Sequence, residues 1–144
     1  MNCVAKNFEE LSVYELYEIM KARSEIFLLE QNIVCQDLDG VDKVARHYFL
    51  EDNGEIYAYL RAYYAGEDKT RVKIGRVLSL IHGKGHGRIL MDFALCDIKE
   101  NMGCQNIYVS SQKQAEGFYA KMGFVTVSDE YLEEGIPHVK MILK

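Results

Sequence analysis

The stretch from His82 to Gly103, HGKGHGRILMDFALCDIKENMG, changes character part-way along. In its first part glycine recurs at Gly83, Gly85 and Gly87, separated by Lys84 and His86 and followed by Arg88. In its second part Ile89, Leu90, Phe93, Ala94 and Ile98 recur at helical spacing, and Gly103 stands where a helix C-cap is expected. Just before it, Arg71 to Leu80 is rich in β-branched residues and reads as a strand. A strand therefore feeds a glycine loop that opens a helix. Consecutive backbone N–H groups and the partial positive charge of a helix N-terminus can hold a phosphate there, worth about 0.3 to 2 kcal/mol, with Lys84 and Arg88 adding charge from the rim. Glycines before a helix are equally plain turn residues. The loop does not end in Lys-Ser or Lys-Thr, and its G-x-G-x-G misses the last spacing of the dinucleotide fingerprint. Both observations disfavour a nucleotide hydrolase and a dehydrogenase.

Upstream, a short strand is expected from about Cys3 to Phe8, and Ser12 with Glu15 forms an S-x-x-E capping box. Leu16, Ile19, Met20, Arg23 and Phe27 follow on one helix face, where Arg23 is the member that needs a partner. From Gln31 to Val44 the periodicity disappears. Strands return at Arg46 to Glu51, Ile56 to Tyr64 and Arg71 to Leu80, with Asn53-Gly54 and Gly66-Glu67-Asp68 as hairpin turns. Downstream, Asn106 to Ser110 reads as a strand, Gln112 to Met122 as a helix closed by Gly123, and Phe124 to Val127 with His138 to Leu143 as a terminal hairpin. The order β-α-β-β-β-α-β-α-β-β predicts one α+β domain over residues 1–144, a mixed, mostly antiparallel sheet with helices on both faces.

A chain of 144 residues, 49% hydrophobic, can bury a core without a disulfide or metal. Cys3, Cys35, Cys96 and Cys104 are far apart and form no zinc-ligand pattern, so no metal is expected and reduced thiols in a cytoplasm are the simplest reading. No leader or membrane-spanning run stands out. Acids outnumber bases 22 to 17, which argues against nucleic acid as a partner.

Asp37, Asp39 and Asp42 lack the glycine position and closing Glu of a calcium loop. They either attract a cationic substrate or cap the next turn. Arg61 and Arg76 either pair with them or bind a substrate carboxylate.

Four blocks, RSEIFLLEQ, QDLDGVD with His47 after it, IGRV and EEGIPHVKM, together with Gly117-Phe118-Tyr119 to Gly123-Phe124, resemble the ElaA-like branch of the GNAT superfamily of N-acetyltransferases over nearly the whole chain. The glycine loop resembles that superfamily's R/Q-x-x-G-x-G/A pyrophosphate loop, with His82 at the Arg or Gln position. The segment from Val77 to His82 is shorter than is usual in the branch, and Ile33-Val34-Cys35 stands where Cys-Pro-Tyr is common. The resemblance implies acetyl-CoA as co-substrate, its pyrophosphate on His82, Gly83, Lys84, Gly85, His86, Gly87 and Arg88, and its pantetheine along Val77, Leu78 and Leu80. It implies Tyr119 as general acid, where the residue pattern alone favours a packed helix-face aromatic. The base for the amine is left among Glu30, His47 and His138. Gln31, Asp37, Asp39, His47, Arg61 and Arg76 fall on the substrate side. The implied partner is a small-molecule or peptide primary amine, with no nucleic acid and no membrane, and a homodimer stays open. A non-catalytic acyl-CoA-binding module is the second reading.

Overall fold

The computed structural model describes residues 1–144. In chain order the elements are β1 (Asn2–Asn7), α1 (Val13–Arg23), β2 (Arg46–Asp52), β3 (Glu55–Tyr64), β4 (Val72–Ser79), α2 (His86–Asn101), β5 (Ile107–Gln112), α3 (Glu116–Lys121), β6 (Phe124–Thr126), β7 (Tyr131–Glu133) and β8 (Ile136–Leu143). The expected order holds with one addition. β7 is three exposed residues long, too short to leave a periodic signal. α3 starts later than expected, because β5 runs to Gln112 and a 3-10 turn, Lys113–Ala115, intervenes. β8 starts two residues earlier than expected, at Ile136, and takes in Pro137.

Local chemistry explains the ends. The Ser12 hydroxyl accepts the Glu15 N–H at 3.0 Å and the Glu15 carboxylate accepts the Ser12 N–H at 2.9 Å, so the predicted capping box is formed. α1 does not stop at Arg23. Ser24–Glu30 continues it as a π-helix, in which the Gln31 N–H reaches back to the Ile26 carbonyl at 2.9 Å. Each wider turn rotates the side chains that follow. Asn53 and Gly54 both take positive φ, 51° and 82°, as a two-residue hairpin turn demands.

One sheet of eight strands runs β1-β2-β3-β4-β5-β8-β6, with β7 also paired to β8. Strand alternation divides the core in two. On β2, Phe49 joins Ile19, Ala22, Ile26, Tyr59 and Leu78 under α1, whereas Tyr48 and Leu50 join the larger core under α2 and α3. Helices thus cover both faces, as the element order predicts. No helix is long and apolar enough to cross a membrane.

All neighbouring strands are antiparallel except β4 and β5, which run parallel and pair only at Val72 with Ile107, Lys73 with Tyr108 and Ile74 with Val109. Directly after Ile74 the β4 strand bulges. Arg61 opposes Gly75 and Tyr59 opposes Leu78, so Leu60 alone faces both Arg76 and Val77. Arg76 adopts φ +53°, a conformation that a non-glycine residue adopts only at a cost. The bulge turns β4 away from β5, and both strands then present unpaired edges to a gap.

Candidate active site

The gap opens into a cleft of about 240 Å³. Gly75, Arg76 and Val77 of β4 form one wall, and Ser110 and Gln112 of β5 form the other. Tyr119 of α3 and His138 of β8 reach it from elsewhere in the sheet, as do Gln31, just past the π-helix, and Glu133 and Glu134 at the β7–β8 turn.

Tyr119 is 6% exposed, its ring set edge-on to Phe118 at 5.2 Å and to Phe124 at 5.7 Å. The ring thus packs in the core, as the residue pattern alone expects, and the residue also lines the cleft. Its hydroxyl makes no hydrogen bond within the chain, and burial pushes the phenol above its ordinary pKa.

From the bulge, β4 leads to the glycine loop. Gly83 and Gly85 have φ of +80° and +76°, and Gly85 is the N-cap of α2. No side chain caps this helix, and its first closing bond runs from the Ile89 N–H to the Gly85 carbonyl at 3.1 Å. The amides of His86, Gly87 and Arg88 precede that bond and are the helix's free donors. A Cβ on Gly87 would stand 3.4 Å from the Ser79 hydroxyl and 3.7 Å from the Phe118 ring, so glycine there lets α2 start hard against β4. His86 packs edge-on to Tyr57 at 5.7 Å. Leu78 is buried under α1, Leu80 packs against the same core, and the Leu80 N–H bonds the Tyr57 carbonyl at 3.0 Å. Strand alternation then turns the backbone of Ser79, a residue the sequence reading passed over, toward the open edge.

Two expected base candidates lie outside the cleft. Glu30 is exposed, and its Oε1 is 2.9 Å from Nε2 of His82, so it ties the end of the π-helix to the glycine loop. His47 is fully buried: its Nε2–H donates to the Asp42 carbonyl at 2.9 Å and its Nδ1 accepts the Tyr59 hydroxyl at 2.7 Å. Burial lowers its pKa and keeps it neutral, so it is a structural histidine, not a substrate ligand. His138 does line the cleft.

The acidic loop corrects a second expectation. Asp42 accepts from Arg23 at 2.7 Å and from Arg61 at 2.9 Å, and Asp39 takes a two-point bond from Arg61 at 2.9 and 2.8 Å. Asp37 bonds Arg23 at 3.0 Å and Arg76 at 2.8 Å. Three aspartates are thereby matched to three guanidinium groups, one of them the partner that Arg23 required. The Arg61 bonds pull Asp39 down to a pKa of about 2; for Asp42, burial acts upward but the Arg23 and Arg61 bonds prevail and lower it. The loop is a clamp that holds Arg76 at the bulge, and Asp39 is not among the residues that line the cleft. Asp37, Arg61 and Arg76 do line it, as does Gln31, whose side-chain oxygen accepts from Gln112 at 3.0 Å. Asp39→Asn is accordingly expected to lower the denaturation midpoint, which calorimetry checks.

A family model described as an acetyltransferase (GNAT) domain matches residues 18–144. The chain belongs to the GNAT family. It is 39% identical to a UPF0039 protein of Schizosaccharomyces pombe, across 98% of this chain and 95% of that one, and 35% identical to protein ElaA of Escherichia coli, across 92% and 89%. The crystal structure of Escherichia coli ElaA superposes with a TM-score of 0.91 at 32% identity over 99% of both chains. That of an acyl-CoA N-acyltransferase from Pseudomonas aeruginosa does so with 0.90 at 33% over the whole of both. The fold is thus the GNAT acyl-CoA N-acyltransferase fold, and the splayed β4–β5 pair belongs to a GNAT domain with ElaA among its relatives. The cleft residues that the sequence reading missed, Ser110, Gln112, Glu133 and Glu134, sit on short strands and a turn; of them only Glu133 and Glu134 fell in a recognised block, EEGIPHVKM.

Proposed function

We propose that this GNAT protein transfers the acetyl group of acetyl-CoA to a primary amine of a small molecule or peptide. The observation that carries this reading is the gap itself: an unpaired β4 edge leads from a cleft lined by Tyr119 and His138 to an uncapped helix N-terminus behind two left-handed glycines. The free amides of α2 bind the pyrophosphate, with Lys84 and Arg88 at the rim. Pantetheine lies along Val77 to Leu80 and pairs with the open strand edge. Leu78 is engaged with Tyr59 across β3, which leaves the Val77 amide at the bulge as the donor for the tetrahedral oxyanion. Of the three base candidates His138 takes the role, because it alone lines the cleft. Tyr119 gives its proton to the departing thiolate; a phenol raised by burial stays protonated at neutral pH, and the thiol, of ordinary pKa about 8.5, leaves readily.

Tyr119→Phe keeps the ring and the packing. It is expected to bind acetyl-CoA as the wild type does and to lose about 10- to 100-fold in kcat, less than a poor leaving group would show. Because burial raises the phenol, its ionisation sets no alkaline limb within the ordinary working range. Thiol release measured across polyamines, amino acids and peptides tests the activity. A wild-type kcat in Tyr119→Phe with chemistry rate-limiting returns Tyr119 to packing alone, and acetyl-CoA binding without amine-dependent release leaves a binding module.

A further inference from the structure

The β7–β8 hairpin gathers polar groups around one imidazole. Its turn carries Glu134 at φ +51° and Gly135 at φ +73°, and its register sets Tyr131 opposite His138 and Glu133 opposite Ile136. The Tyr131 ring stacks on His138, with centroids 6.2 Å apart and planes 24° apart, while its hydroxyl bonds Ser110. Ser110 in turn donates to Oε1 of Glu133 at 3.2 Å. His138 is 6% exposed, and its Nδ1–H donates to the Ile136 carbonyl at 2.7 Å. The opposite nitrogen, Nε2, makes no hydrogen bond; its nearest acid is Oε2 of Glu133 at 3.4 Å. A buried histidine beside the cleft therefore keeps its basic nitrogen free, next to a carboxylate.

Charge divides the same cleft. Asp37, like the rest of the acidic loop, is matched to guanidinium groups. Glu133 has no cationic partner but His138, and Glu134 has none. The unpaired negative charge of the cleft thus sits on the hairpin, not on the aspartate loop, and its unpaired cation is Lys73 of β4.

We propose that Glu133 is a positioning residue for His138 and, with Glu134, recognises an acceptor that arrives as a primary ammonium ion with no carboxylate beside it. This rests on the acyltransferase reading above. The ammonium group is held at the hairpin and gives one proton to Nε2 of His138, which the Glu133 carboxylate faces at 3.4 Å. The neutral amine attacks the thioester carbonyl, so a C–N bond forms and the C–S bond breaks. The nitrogen loses its second proton, which offsets the proton that Tyr119 delivers to sulfur. Amide and free thiol are the products, and the one proton left over passes from His138 to solvent. A carboxylate next to the amine would face two glutamates, which disfavours zwitterionic amino acids.

The test uses acetyl-CoA with 1,4-diaminobutane and with glycine as probe amines. The wild type is expected to acetylate diaminobutane with the higher kcat/KM. Glu133→Gln, at a half-exposed side chain that folding tolerates, should leave acetyl-CoA affinity and the melting midpoint unchanged and lower kcat/KM for diaminobutane by about 10- to 100-fold. Glu133→Asp should restore part of the rate. Glu134→Gln should raise KM and leave kcat close to the wild-type value. Unchanged kcat/KM in Glu133→Gln, or a wild type that binds acetyl-CoA and prefers glycine, overturns the hairpin assignment alone. A wild type that binds no acetyl-CoA removes the acyltransferase reading and this inference with it.

Discussion

Gly85→Asp is expected to abolish coenzyme A binding in a protein that still folds. Aspartate is a good N-cap, so its carboxylate would accept the free amides at the start of α2, which compensates in part for the roughly 1 to 2 kcal/mol of placing a side chain at φ +76°. An added Cβ meets no atom of the chain within 4 Å, so the substitution is not excluded by packing. What it removes is the proposed anion site: the same donors could not serve a pyrophosphate, and a fixed negative charge would stand where two phosphates would lie. Loss of several charge-assisted hydrogen bonds, each worth about 1.5 to 3 kcal/mol, corresponds to a fall in affinity of at least about 10³-fold. Isothermal titration with acetyl-CoA measures it. Unchanged affinity in a folded variant would move the cofactor away from this loop.

Asp42→Ala should destabilise the chain by about 3 to 5 kcal/mol, because it strips a buried partner from two guanidinium groups that are themselves buried. Urea denaturation at neutral pH gives the value, and a change below about 1 kcal/mol would mean that the charges are compensated elsewhere. The pH dependence has a definite sign. Asp39 and Asp42 both titrate lower in the folded chain than the ordinary value near 3.9, Asp39 at about 2. A depressed pKa contributes stability that is complete above about pH 4 and is lost as the pH falls toward 2. Wild-type stability should therefore drop through that window, and Asp42→Ala should show a shallower fall.

These substitutions probe features of unequal legibility. The start of α1, the Asn53-Gly54 hairpin, the strand–loop–helix unit around Gly85 and the helices on both faces were all readable, since each follows from residues adjacent in sequence. Arg23 was recognised as needing a partner, but the partner was not, because Asp42 lies 19 residues away across a loop without periodicity. The aspartates looked like a substrate lure for the same reason: sequence counts charges and does not show that Arg61 and Arg76, on β3 and β4, already meet them. Glu30 and His47 stood in recognised blocks yet point to the glycine loop and the core. β7, with three exposed residues, left no pattern at all.

The sequence by itself determined the element order apart from β7, the GNAT-like glycine loop and the two-sided cover of the sheet, because helical and strand periodicities and capping chemistry act over a few residues. Only the tertiary structure decided that β4 and β5 part after Ile74, that Arg76 bulges at φ +53°, and that Tyr119, His138 and Glu133 share one cleft. Strand splaying depends on how eight strands twist and pair at once, and side chains from α3, β7 and β8 meet only after that sheet has closed around them.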